Sequence, residues 1–198
     1  MPISSHELKH FRNRVFVETG SAGLGWGIQS ALNAGFEEIH SVEINPVAYN
    51  ECKAIFAKEP RVHLTLGDCG VWLDPTLNAI GEPCTIYLDA NGWSGETESP
   101  FYSAIEALVR HGGKEHLILV DDQNSEKRPR EELMRDFIVG DCQMIRSLRR
   151  INTDYHFYLI DSHTEDMTTL FPSWVLVADP ISNRFPNMVA SDFVPIKD

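Results

Sequence analysis

Val15-Phe16-Val17-Glu18-Thr19-Gly20-Ser21-Ala22-Gly23-Leu24-Gly25 is the stretch on which the fold turns. A short run rich in β-formers closes on glycines, which let a backbone turn tightly. From Gly27 to Ala34 the pattern is helical, with Ile28, Leu32 and Phe36 at four-residue spacing. Strand, glycine turn and helix together open a β-α unit. Outward from it the same alternation repeats. Ile39 to Glu43 reads as a second strand, and Asn45 caps a helix that carries Pro46 in its first turn. Val62 to Leu66 reads as a third strand and Val71 to Ile80 as a shorter helix. Thr85 to Asp89 is a fourth strand, followed by a helix carrying Ile105 and Leu108 that stops at Gly112-Gly113. His116 to Val120 is a fifth, almost wholly apolar, as a strand buried on both faces should be.

Leu133, Phe137, Ile138, Ile145 and Leu148 mark a long helix. Two final strands, around Phe157 to Ile160 and Trp174 to Ala178, are too close in sequence for a crossover helix, so they form an antiparallel hairpin at the sheet edge. The expectation is one α/β domain spanning residues 1–198. It is doubly wound and Rossmann-like, with a mostly parallel seven-stranded sheet and a C-terminal antiparallel hairpin. Ligands of such sheets bind beyond the carboxyl ends of the strands.

Composition narrows the function. The chain has 198 residues and a net charge of −12, which repels phosphate backbones and disfavours a nucleic-acid partner. A small molecule fits better. Cys52, Cys69, Cys84 and Cys142 form no Cys-x-x-Cys pair and read as buried free thiols, which suits a reducing compartment. No apolar run reaches the ~20 residues of a membrane span, and Met1 to Arg14 is polar. The expected location is therefore the cytoplasm, with no membrane partner.

The strand ends hold the residues that carry chemistry. Glu43 follows Gly20 by 23 positions and ends the second strand, where a carboxylate can accept from both hydroxyls of a ribose. Asp68, after Gly67, is suited either to an adenine amino group or to capping the next helix. Asp89 ends the fourth strand and Asp121-Asp122 the fifth. Neighbouring strands lie about 4.8 Å apart, so three carboxylates would crowd one edge of the pocket. Like charges that close need a cation, and an all-oxygen set suits Mg²⁺ or another hard divalent ion.

Glu18-Thr19-Gly20-Ser21-Ala22-Gly23, Glu43, Gly67-Asp68 and Asp89 together resemble the class I S-adenosylmethionine-dependent methyltransferases over roughly Val15 to Asp122. The resemblance implies that the loop with Gly20, Ser21 and Gly23 runs beneath the methionine part of the cofactor. It places Glu18 near the methionine amino group and Glu43 on the ribose. The usual pattern alternates glycines after the acid; here Ala22 and Leu24 stand at the second and third alternate positions. Asp89 with Asp121 and Asp122 looks like the metal site of metal-dependent O-methyltransferases acting on sugars or catechols. In that likeness a Mg²⁺ ion would activate a substrate hydroxyl, with Asp89 or His163 as the catalytic base. The expected activity is methyl transfer from S-adenosylmethionine to a hydroxyl of a small-molecule acceptor, in a monomer or in a homo-oligomer that closes the site. The alternatives are a non-catalytic cofactor-binding scaffold of this fold and a nicotinamide-dependent oxidoreductase. The missing G-x-G-x-x-G spacing argues against the second.

Overall fold

The computed structural model describes residues 3–90, 100–121, 143–162, 173–181 and 193–195. The elements run α1 (Ser5–Leu8), a 3-10 turn (Lys9–Phe11), β1 (Val15–Thr19), α2 (Trp26–Ala34), β2 (Glu38–Glu43), α3 (Pro46–Ile55), β3 (Val62–Leu66) and α4 (Cys69–Ile80). Then come β4 (Cys84–Leu88), α5 (Pro100–His111), β5 (Leu117–Val120), α6 (Gln143–Arg149), β6 (His156–Ser162), β7 (Ser173–Asp179) and β8 (Phe193–Pro195). The strands form one sheet in the order β3-β2-β1-β4-β5-β7-β6-β8. Neighbours from β3 to β5 are parallel. β7 runs antiparallel to both β5 and β6, so the expected hairpin forms, and a short eighth strand adds to β6.

Alternation along the strands sorts the core into two layers. Val15, Val17, Ile86, Leu88, Ile118 and Val120 face α4, α5 and α6. Phe16, Tyr87, Leu117 and Leu119 face α2 and the N-terminal turn. Period-two burial on both faces is what a sheet sandwiched between helices requires. Asn45 caps α3 as the sequence suggests, accepting from Val47 and Ala48 through Oδ1. Cys52, Cys69 and Cys84 are buried free thiols, and Cys142 lies outside the described residues. Burial pushes the Cys52 thiol up to about 11 and the Cys84 thiol up to about 12, which keeps both protonated.

Two features escape the sequence pattern. Residues before β1 read as a polar tail, yet Ile3, Leu8 and Phe11 are fully buried against the α2 face of the sheet. Ser4 and Glu7 close a capping box around α1, and the Ile3 amide donates to the Tyr87 hydroxyl at 3.1 Å. The S-x-x-E spacing of that box is the signal that would have revealed it. β5 begins at Leu117, one residue later than expected, and the His116 ring just before it bridges β4 and α5. The Cys84 amide donates to His116 Nδ1 (3.1 Å), so His116 carries its proton on Nε2 and donates it to His111 Nε2 (3.0 Å). That pair ties the end of α5 to the start of β5. Burial pushes His116 down to about 4, so it stays neutral at physiological pH. Among the described residues, no helix is long and apolar enough to cross a membrane.

Candidate active site

The carboxyl ends of β1, β2, β3, β4 and β5 are joined by a run of backbone bonds beyond the sheet proper. Gly20 N donates to Val42 O (2.8 Å), Gly67 N to Glu43 O (2.9 Å), Asp89 N to Thr19 O (3.2 Å) and Asp121 N to Leu88 O (3.1 Å). The predicted site residues Gly20, Glu43, Asp89 and Asp121 are therefore brought to one edge. Asp122 and His163 lie outside the described residues.

Glu43 organises the loop. Its Oε2 accepts from the Ala22 amide at 2.9 Å and its Oε1 from the Asn45 amide at 2.8 Å. One buried carboxylate thus holds the glycine loop on one side and the start of α3 on the other. Ala22 has φ +49°, the left-handed conformation that glycine adopts freely. The departure from alternating glycines is resolved in this way: Ala22 takes the glycine conformation, and Glu43 pins its amide there. A left-handed alanine costs about 1–2 kcal/mol. Replacing Ala22 with glycine should therefore raise the unfolding free energy by about 1 kcal/mol in urea titrations; an unchanged or lowered value would mean that Ala22 is not strained. At Gly20, with φ +86°, an added Cβ would lie 3.0 Å from Ala90 Cα, so side chains are excluded where β1 and β4 diverge.

Two hydroxyls sit beside this loop without a nitrogen or oxygen partner among the described residues. Thr19 Oγ1 and Ser21 Oγ are buried and unbonded in that sense, Ser21 lying against the Cys52 thiol. Buried hydroxyls are nearly always paired, so Thr19 Oγ1, which lacks even a sulfur partner among the described residues, is suited to a polar ligand entering at the loop. α2 has no side-chain cap, and its first-turn amides face the same end.

Glu18 lies deeper. It is buried between Ser41, whose hydroxyl donates to its Oε2 at 2.7 Å, and Gly27, where an added Cβ would fall 1.8 Å from its Oε1. Desolvation raises its pKa to about 8, the bond from Ser41 opposing and the nearby Glu43 charge adding. The folded protein therefore holds Glu18 protonated through a range where the unfolded chain ionises it. Stability from this source is complete below about pH 4.5 and is lost as pH rises toward 8. Glu18→Gln, which cannot ionise, should gain stability over the native chain progressively across that window, reaching on the order of 4 kcal/mol at pH 8. Parallel pH dependences for the two proteins would show that Glu18 does not titrate this way.

The remaining acids divide. Asp68 caps α4, its Oδ1 accepting from Gly70 at 2.8 Å and from Val71 at 3.3 Å, so the structural role weighed for it is present. Gly23 is closed on one side by Glu51, whose carboxylate an added Cβ would strike. Asp89 is half-buried at the tip of β4. Asp121 is buried, and its Oδ2 accepts the Tyr87 hydroxyl proton; burial and the neighbouring charges of Asp121 and Asp89 push that phenol well above its ordinary range. Asp89 and Asp121 thus stand as hard oxygen donors on adjacent strand ends, the chemistry a Mg²⁺ ion takes.

No protein-family model and no curated protein matches the sequence. Solved structures do share its architecture. A SAM-dependent methyltransferase from Anabaena variabilis superposes with a TM-score of 0.55 at 10% identity, over 88% of this chain and 81% of that one. A TehB-like SAM-dependent methyltransferase from Corynebacterium glutamicum gives 0.53 at 12% identity, over 88% and 85%. The chain has the fold of the S-adenosylmethionine-dependent methyltransferases. A spermidine synthase matches as well, with a TM-score of 0.54 at 10% identity over 87% of this chain and 56% of that one. The methyltransferase fold therefore leaves the transferred group open, and the reaction has to be argued from the site.

Proposed function

We propose that this chain is an S-adenosylmethionine-dependent methyltransferase acting on a hydroxyl of a small molecule. The observation that carries this reading is Glu43 anchoring the glycine loop at the carboxyl ends of β1 and β2, beside the Thr19 hydroxyl, which is buried without a partner among the described residues. Each Glu43 oxygen accepts one backbone N–H and retains a further lone pair. It can take the ribose hydroxyls without releasing the loop. Gly20, Ser21 and Gly23 would lie under the methionine part, with Glu18 behind them toward the amino group, and Asp68 would reach the adenine amino group while it caps α4.

S-adenosylmethionine would supply a methyl group on a sulfonium, and the acceptor oxygen would displace S-adenosylhomocysteine from it. The hydroxyl proton needs a base at the tip of β4, a role Asp89 would fill, with His163 as the second candidate. Asp89, Asp121 and Asp122 would hold a Mg²⁺ ion, whose Lewis acidity lowers the pKa of a bound hydroxyl. The acidic surface, with its net charge of −12, favours a small acceptor over a nucleic acid.

Calorimetric titration of S-adenosylhomocysteine, with Mg²⁺ and again in EDTA, tests this. A micromolar Kd, about −8 kcal/mol, is expected, with an added Mg²⁺ dependence that Asp121→Ala removes. NAD should give no heat. Absence of binding in both buffers would overturn the methyltransferase reading, and NAD binding in its place would favour the oxidoreductase.

A further inference from the structure

A second group of ligating side chains lies away from the glycine loop, toward the amino ends of the strands. His40 on β2 and His63 on the edge strand β3 are direct partners in the parallel ladder. Their rings stack with centroids 4.8 Å apart and an interplanar angle of 29°. Glu38 lies two residues before His40 on the same strand, hence on the same face of the sheet. Its Oε1 is 2.8 Å from His40 Nε2. One ligand atom from each of the three residues lies within 4.8 Å of the others. Glu38 opens β2, whereas Glu43, which holds the glycine loop, closes it.

We infer that Glu38, His40 and His63 form a site for a divalent transition ion of the Zn²⁺ class, separate from the site at the carboxyl ends. Two imidazole nitrogens and one carboxylate oxygen are donors that Zn²⁺ takes readily and Mg²⁺ does not. The ladder holds the two rings side by side before any ion arrives, which reduces the ordering that binding would otherwise require. Arg14 completes the arrangement from outside. Its Nη1 lies 2.9 Å from Glu38 Oε2, which turns Oε1 toward the imidazole, as outer hydrogen-bond partners commonly orient metal ligands. The ion would take the place of the hydrogen in the bond between His40 Nε2 and Glu38 Oε1. Three protein ligands would leave one position of a tetrahedron for water.

The competing reading is a His40–Glu38 hydrogen-bonded pair with His63 merely stacked on it. The two differ over His63, which is exposed, so its replacement spares the core. The experiment is calorimetric titration of Zn²⁺ into the EDTA-stripped full chain, repeated with His63→Ala and with Glu38→Gln, each variant first shown to unfold at the native temperature. The site predicts that one equivalent of Zn²⁺ bound by the native chain is lost, or weakened by at least roughly tenfold, in both variants. A native chain that binds no Zn²⁺ would overturn the inference. So would an isotherm unchanged by His63→Ala, since the zinc would then sit on other histidines such as the His6 and His10 pair. Neither outcome depends on S-adenosylhomocysteine binding, so this site and the proposed methyltransferase activity stand or fall separately.

Discussion

Glu43→Ala is expected to weaken S-adenosylhomocysteine binding by about 100-fold or more and to lower stability by about 3 kcal/mol. Two amides lose their acceptor at once, Ala22 on the loop and Asn45 before α3. Hydrogen bonds to a charged group are worth about 1.5–3 kcal/mol each. The left-handed Ala22 also loses the contact that pins it, so the loop would relax away from the shape a ligand meets. Under the proposed function the same carboxylate holds the ribose, and that contact disappears as well. Glu43→Gln separates the contributions. Its amide oxygen can serve one of the two N–H groups, but its NH₂ would face the other donor, so an intermediate loss is expected. Calorimetry and urea unfolding on the same samples check both numbers. A Glu43→Ala protein that unfolds cooperatively and binds the ligand at native affinity would exclude Glu43 from the cofactor site.

Gly27→Ala carries the second large effect, and its sign depends on Glu18. Alanine is about 1 kcal/mol better than glycine within a helix, so the substitution in α2 would ordinarily stabilise. Here the new methyl would fall 1.8 Å from Glu18 Oε1. Glu18 is fully enclosed and held by Ser41, so its carboxyl cannot swing aside without breaking a buried hydrogen bond. Overpacking of this kind costs about 1–3 kcal/mol, and the broken bond adds to it, for a net loss of about 3 kcal/mol in urea unfolding. In a Glu18→Ala background the obstruction is gone, and Gly27→Ala should become neutral or stabilising. Additive effects in that double-mutant cycle would show that the two side chains do not meet.

Much of the scaffold was legible from periodicity. Short β-branched runs alternating with four-residue apolar spacing gave the five β-α units, and the short gap before the last strands required an antiparallel hairpin. The Asn45 cap was readable because an Asn before Pro at a helix start has one dominant use. Glu43 was readable as a site residue from its distance to the glycine loop. Its hold on Ala22 was not, since that bond joins the loop after β1 to the end of β2, and the relative height of the two strands is set by sheet register. The buried N-terminal turn was hidden because Ile3, Leu8 and Phe11 are scattered among charged residues, and they become a face only when wrapped in a short helix and a 3-10 turn against β1 and β4.

The sequence by itself therefore determined the order of strands from β1 to β7 and of the helices between β1 and β5, the two-faced sheet, and which acids stand at strand ends, because each follows from local spacing or from the period of a single element. The tertiary structure alone decided which side chains meet across elements. It buried Glu18 against Gly27, joined Tyr87 to Asp121 and paired His40 with His63. Such contacts depend on the register between strands and on the depth at which helices pack, and a shift of one residue would send each of these side chains to the opposite face.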